Sequence, residues 1–214
     1  MRSLTLLLAA TAVFAAETVS TPIDNDQVKV LNVVVQPHEK TRLHQHKVNR
    51  VMIYRQAGRQ EFDYEGKKSV LNFKAGDVKW SPAGGMHIAE VTSAAPVNII
   101  EVELKKPGSG AKTPASDLDP VKIDKKHYKV VFDNDQVRVL HVKIGAHEST
   151  PLHEHSLNRV VAYLADQNFR VTTDGKPETV QHKAGEVSWG TPTKHTEENL
   201  NDKAFEAVVV ELKN

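Results

Sequence analysis

The sequence predicts an all-β protein built from two tandem units of barrel or sandwich type. Three observations carry this prediction. Short segments rich in β-branched residues recur at 8–12-residue spacing with turn signals between them. Beyond the N-terminal segment, no window of 11 or more residues has a clean 3.6-residue apolar period. The chain also repeats itself at an offset of 109 residues.

The N-terminal segment stands apart from this pattern. Arg2 is followed by an apolar run from Leu4 to Ala16, and Val13-Phe14-Ala15 fits the small-x-small rule of signal peptidase. Residues 1–15 therefore read as a signal peptide cleaved after Ala15, with a buried N-terminal strand or helix as the alternative. The run is shorter than the ~20 apolar residues of a membrane span. The expected location is exported, periplasmic or secreted from a bacterium, with no membrane attachment after cleavage. The chain has no cysteine, so neither lipid acylation nor disulfides contribute, and stability rests on packing.

The repeat opens with Asp24-Asn25-Asp26-Gln27-Val28, which returns as Asp133-Asn134-Asp135-Gln136-Val137. The offset holds through Asn49-Arg50-Val51 and Asn158-Arg159-Val160, through Tyr54 and Tyr163, and as far as Trp80 and Trp189. One residue is lost after the tryptophan, and the copies end alike in Val102-Glu103-Leu104-Lys105 and Val210-Glu211-Leu212-Lys213. Two copies read as a duplicated domain rather than a solenoid. The expected division is 22–105 and 121–214, joined by a linker over 106–120 that begins Lys106-Pro107-Gly108-Ser109-Gly110. Asp119 to Tyr128 reads as an extended arm entering the second unit.

Within the first unit, Val28 to Val35 is roughly alternating and β-branched, and Pro37 ends it. Arg50 to Tyr54 reads as a second strand, and Val97 to Leu104 closes the unit, as Ala207 to Leu212 closes the other. Asp63-Tyr64-Glu65-Gly66-Lys67 and Thr173-Asp174-Gly175-Lys176 read as hairpin turns, because Gly after an acidic residue suits positive φ.

Chemistry concentrates on histidine. Of 11 histidines, eight form equivalent pairs between the copies: His38/His147, His44/His153, His46/His155 and His87/His195. His127, His141 and His182 have no counterpart, and for His141 and His182 surface or packing roles suffice. His38 and His147 stand where the chain turns and suit the left-handed region. His44-Gln45-His46 and His153-Glu154-His155 each present two imidazoles on one face of an extended chain, a clamp for a metal ion. Core histidines satisfied by hydrogen bonds are the plainer explanation, but a further histidine later in each copy favours ligation.

These residues resemble the cupin family. His44-x-His46 looks like the first cupin motif, and Gly76, Pro82, Gly84 and His87 match the second, G-x5-P-x-G-x2-H. His153, His155, Gly185, Pro192, His195 and Asn199 follow the same order in the second copy, with the Trp–His interval one residue shorter. The resemblance covers both units, so the chain is similar to a bicupin and implies two jelly-roll barrels. It further implies a divalent transition metal (Fe, Mn, Zn, Cu or Ni) held by His44, His46 and His87 and by His153, His155 and His195, and no nucleotide cofactor.

One departure occurs in both copies. Arg50 and Arg159 stand where the family's fourth ligand is usually Glu. A +2/+1 pair at about 5 Å and an effective dielectric of about 20 repels by roughly 7 kcal/mol. Three arrangements relieve this. The arginine turns out of the barrel towards a carboxylate such as Glu90 or Glu198, or an anion sits between arginine and metal, or the metal is absent. In the second arrangement, Arg50 or Arg159 binds a substrate carboxylate in forked geometry, with Tyr54 and Tyr163 on the same strand face lining the pocket or packing the core. Trp80 and Trp189 read as structural. Glu90 and Glu198 lie an odd number of residues after a motif histidine, on the opposite face, and are not expected as ligands.

The balance of 28 basic against 27 acidic residues and the scarcity of aromatics argue against nucleic acid as a partner. A small-molecule ligand, with a carboxylate as one candidate, is the expected partner of a monomer or homodimer. Three functions remain open: a metal-dependent enzyme acting on a small anionic molecule, a non-catalytic ligand-binding bicupin, or a structural bicupin with a degenerate metal site. The fold itself does not choose among them.

Overall fold

The computed structural model describes residues 17–110 and 112–213, so the signal-peptide assignment lies outside the described residues. The first unit contains strands β1 (Glu17–Asp24), β2 (Val28–Val35), β3 (His44–His46), β4 (Arg50–Tyr54), β5 (Gly58–Tyr64), β6 (Lys67–Phe73), β7 (Val78–Ser81), β8 (Gly84–Val91) and β9 (Val97–Leu104). A short helix α1 (Pro120–Ile123) precedes the second unit. That unit contains β10 (Tyr128–Asp133), β11 (Val137–Ile144), β12 (His153–His155), β13 (Arg159–Tyr163), β14 (Gln167–Thr173), β15 (Lys176–His182), β16 (Val187–Gly190), β17 (Thr193–Asn199) and β18 (Phe205–Leu212). No described helix is long and apolar enough to cross a membrane.

Each unit is a jelly roll of two facing sheets. The five-stranded sheets run β1-β2-β9-β4-β7 and β10-β11-β18-β13-β16, and the four-stranded sheets run β3-β8-β5-β6 and β12-β17-β14-β15. The pairings are antiparallel throughout, and β1 and β10 each carry a register shift, between Ser20 and Ile23 and between Val130 and Phe132. Both hairpin turns fall where the sequence places them. Glu65-Gly66 and Asp174-Gly175 connect paired strands, with φ of 53° and 89° and of 51° and 74°, the two positive values that a type I′ turn needs. His38 and His147 also adopt positive φ, 62° and 57°.

The five-stranded sheets are apolar on both faces, which blurs the alternation along their strands. One face of each lines its own barrel, with Met52, Tyr54 and Ile99 in the first and Val142, Phe205 and Val209 in the second. The opposite faces pack on each other. Val51, Ile53, Ile100 and Val102 join Val139, Val160, Val208 and Val210 in one buried cluster shared by the two units. Trp80 and Trp189 pack against this cluster, the structural role expected of them.

Several residues retained in the repeat belong to this junction. Asn49 Nδ2 donates to Gln136 Oε1, and Asn158 Nδ2 donates to Gln27 Oε1 at 3.1 Å, so each unit's Asn-Arg pair reaches the other unit's Asp-Gln turn. Because Ile100 is fully buried in the shared cluster, Ile100→Val is expected to cost about 0.5–1.5 kcal/mol. A lowered urea midpoint with an unchanged slope is the measurement that checks it.

The segment before the second unit is not the extended arm expected from sequence. Asp119 caps α1, its carboxylate accepting from Val121 N–H at 2.9 Å, and Pro120 occupies the first helical turn, where a missing N–H is harmless. This segment lies on β12: Glu154 N–H donates to Leu118 O at 2.8 Å, and Ser116 Oγ donates to Glu154 Oε2 at 2.6 Å.

Candidate metal centres

Strand pairing assembles the histidines. In β3 and β12 the alternation turns both imidazoles to one side, while the neighbouring strand sets His87 opposite His44 and His195 opposite His153. In each barrel the ligand nitrogens of the three histidines lie within 4.8 Å of one another. All three are buried in the second barrel, whereas His44 and His46 are half-buried in the first. Among the described residues, these two triads are the groups of three or more potential ligands close enough to share an ion.

Hydrogen bonds fix the rings. His44 Nδ1 donates to Arg42 O at 2.7 Å, His87 Nδ1 to Gly85 O at 3.2 Å, and His153 Nδ1 to Pro151 O at 3.0 Å. A carbonyl only accepts, so in the neutral ring each of these histidines keeps a lone pair on Nε2. His44 Nε2 faces His46 Nε2 at 2.9 Å, and His195 Nε2 faces His153 Nε2 at 2.9 Å. Nitrogens this close repel unless a proton or a cation lies between them. Burial, and then the neighbouring cations, hold His46 down to about 3. Burial, opposed by Glu197, holds His195 down to about 4. Protonation is thus disfavoured near neutral pH, and the donor set suits a divalent transition metal.

The second centre has the support that metal-binding imidazoles usually need. His155 Nδ1 donates to Glu211 Oε1 at 2.8 Å, which aims Nε2 at the triad. Glu211 Oε2 accepts from Arg138 Nε at 2.6 Å, and Arg138 reaches Asp119 Oδ2 at 2.6 Å. A buried chain of alternating charges thus runs from the cap of α1 to the triad. Burial opposes ionisation of Glu211, but the hydrogen bonds from His155 and Arg138 hold its carboxyl below the usual range.

The two arginines behave differently from each other. Arg50 does not turn out towards Glu90 or Glu198: those carboxylates pair with Lys40 and Arg170 on the outer face. Strand alternation puts Arg50 on the inner face with Met52 and Tyr54, where it meets Glu101 at 2.8 Å and Ser81 Oγ at 2.9 Å. The same Arg50 nitrogen lies 2.8 Å from His46 Nε2 and donates into the lone pair that an ion would need. The first triad therefore fits a metal poorly. Arg159 leaves its triad free: one guanidinium nitrogen donates to Thr191 O at 2.5 Å, and the side chain lines a cavity of about 230 Å³ together with His155, His195 and Glu197.

That cavity is lined by apolar residues, including Val142, Phe205 and Val209, and by polar ones, including Gln167 and Ser188. Tyr163 lines it, hydrogen-bonded to Ser188 at 2.9 Å and stacked on His182 at 4.1 Å. Its counterpart Tyr54 instead stacks on Phe73 at 4.0 Å within the first barrel's core. His127 lies outside the triads, between Asp124 at 2.7 Å and Glu148 at 2.9 Å.

Four polar residues of the barrel interiors were not anticipated from sequence. Glu101 and Glu211 lie in closing strands that otherwise read as apolar core. Glu197 could have been found: it follows His195 by two residues, so alternation puts both on one face. Tyr128 has valine at the equivalent position of the first copy, so the repeat draws no attention to it.

No family model and no curated protein matches the sequence. Solved structures do match. AerE from Microcystis aeruginosa superimposes with a TM-score of 0.70 at 12% identity, covering 95% of this chain and 96% of its own. A cupin 2 conserved barrel domain protein from Leptotrichia buccalis gives 0.57 at 16% identity, covering 95% and 92%. Oxalate decarboxylase from Bacillus subtilis, an enzyme with Mn(II) centres, gives 0.60 at 12% identity, covering 95% and 78%.

Proposed function

The chain is a bicupin in fold, two cupin barrels in tandem, and from this we propose that its second barrel is a divalent-metal centre that binds a small anionic molecule. The observation that supports this most is the second triad. His153, His155 and His195 converge in the barrel interior, Glu211 orients one of them, and Arg159 lines a cavity together with His155 and His195. A first-row divalent ion there supplies Lewis acidity, and manganese, present in the Bacillus oxalate decarboxylase, is the first to try. Arg159 supplies a fixed positive charge and a planar donor fork that a small carboxylate matches. The cavity of about 230 Å³ limits the guest to a small molecule. Export across the inner membrane, read from Leu4 to Ala16, belongs to the same proposal.

The first barrel supports a non-metal reading. Arg50 and Glu101 form a buried pair, and Arg50 occupies the His46 lone pair, so that barrel serves as a packing partner. Untagged protein is therefore expected to hold about one transition-metal ion per chain, held mainly by imidazole nitrogen. Changing His153 and His155 to Ala removes the ion, whereas changing His44 and His46 to Ala leaves it. Elemental analysis that finds no metal, with no uptake on titration with Mn(II), overturns the reading. For the anion, a panel of small carboxylates including oxalate is expected to raise the melting temperature of the metal-loaded protein. Arg159→Leu is expected to abolish that shift; an equal shift in wild type and variant removes Arg159 from the site.

A further inference from the structure

The second barrel lacks a carboxylate where the cupin pattern supplies its fourth ligand, because Arg159 stands there. A carboxylate nevertheless lies next to the triad on another strand, one tyrosine hydroxyl away from it. Glu197 lies on β17, two residues beyond His195 and on the same face, and it lines the cavity with His155 and His195. Its backbone is clamped: Glu197 N–H donates to Thr150 Oγ1 at 3.0 Å, and its carbonyl accepts from Thr150 N–H at 2.8 Å. Any approach of the carboxylate to the triad is therefore a rotation of the side chain alone.

One hydroxyl stands between this carboxylate and the triad. The buried Tyr128 hydroxyl donates to Glu197 Oε2 at 2.9 Å, and the hydroxyl oxygen itself lies 3.1 Å from His153 Nε2. Tyr128 has one proton and two acceptors, so it serves the carboxylate or the imidazole, not both. An ion on the triad takes the His153 lone pair, and the hydroxyl loses that alternative.

Charge points the same way. A divalent ion beside Arg159 places three positive charges in a largely buried pocket, and Glu211, the other nearby carboxylate, is already engaged by His155 and Arg138. The arrangement is private to this barrel: the first copy has Ala89 and Val19 at the positions of Glu197 and Tyr128.

Resting on the metal reading of the second barrel, we propose that Glu197 is the fourth, carboxylate ligand of that centre, carried on β17 instead of β13, with the Tyr128 hydroxyl holding its side chain in place. The ligand set becomes His153, His155, His195 and Glu197, and Arg159 is left to the anionic guest.

The test is a Mn(II) titration of the full chain followed by electron paramagnetic resonance, comparing wild type with E197Q, E197A and Y128F. Glu197→Gln keeps the size and the acceptor for Tyr128, so its fold is expected to survive even where Glu197→Ala fails. Loss of a ligand is expected to weaken Mn(II) binding by more than about tenfold in both Glu197 variants. The zero-field splitting of the bound ion is expected to change in E197Q. Tyr128→Phe, which removes a positioning group only, is expected to weaken binding less than either Glu197 variant and to leave the zero-field splitting as in wild type. Unchanged affinity and splitting in E197Q overturn the proposal. So does Y128F weakening binding as much as E197Q, because the pair then acts by orienting His153. Wild type that takes up no Mn(II) overturns the metal reading itself, a result separate from either of these.

Discussion

Glu211→Ala is expected to destabilise the protein by about 3–5 kcal/mol, the range for removing one partner of a buried ion pair. Glu211 is fully buried and accepts from both Arg138 and His155. Its loss leaves the Arg138 guanidinium with Asp119 alone and lets the His155 ring rotate. Urea unfolding measures the first effect. Metal titration measures the second, expected as a 10- to 100-fold loss of affinity. An unchanged urea midpoint would show that the charge chain contributes nothing net to stability. The pH dependence follows from the direction of the Glu211 shift. Its folded value is depressed, so the stabilisation is full above the ordinary glutamate value of about 4.3. It is lost as pH falls through the depressed folded value, where the unfolded chain already binds the proton and the folded chain begins to. The variant should therefore lose less stability than wild type on acidification below about pH 4.

Arg50→Glu is expected to give the first barrel a metal site. The substitution removes the donor that occupies His46 Nε2 and restores a carboxylate at the position where cupins carry a ligand. Without metal, the new carboxylate faces Glu101, whose carboxyl burial already pushes up, so the variant should be less stable than wild type. With metal, the like charges are neutralised. At Mn(II) concentrations about 100 times the dissociation constant, linkage returns about 2.7 kcal/mol. The measurement is the melting temperature against Mn(II) concentration in a chain that also carries His153→Ala and His155→Ala, so that only the first triad can respond. No Mn(II)-dependent rise in that background would mean that something other than Arg50 silences the first triad.

Much of the fold is legible in the sequence because its signals are local. The Glu65-Gly66 and Asp174-Gly175 turns depend on two residues each, and the positive φ of His38 and His147 is a property of single positions. The face shared by His44 and His46 needs only strand alternation. Two motifs in order, twice, imply two jelly rolls, and the structure has two. The extended arm before β10 failed as an expectation because Asp119-Pro120 is a cap-and-first-turn signal, and four residues of helix fall below any periodicity test.

The direction of the arginines was not legible, because it depends on partners far along the chain. Arg50 finds Glu101 and Ser81 through strand pairings that close the barrel, and no spacing rule links these positions. The same local motif therefore ends in two environments. In the first barrel Glu101 draws the guanidinium inward against His46. In the second, Glu211 is held by Arg138 and His155, and Arg159 turns to the Thr191 carbonyl. The sequence by itself determined that the chain folds as two copies of one β unit, each with two histidines on a common face and a third further along, because periodicity and turn chemistry act over a few residues. Only the tertiary structure decided which triad remains open to an ion, because that depends on which buried carboxylate, brought in from a distant strand, engages each neighbouring cation.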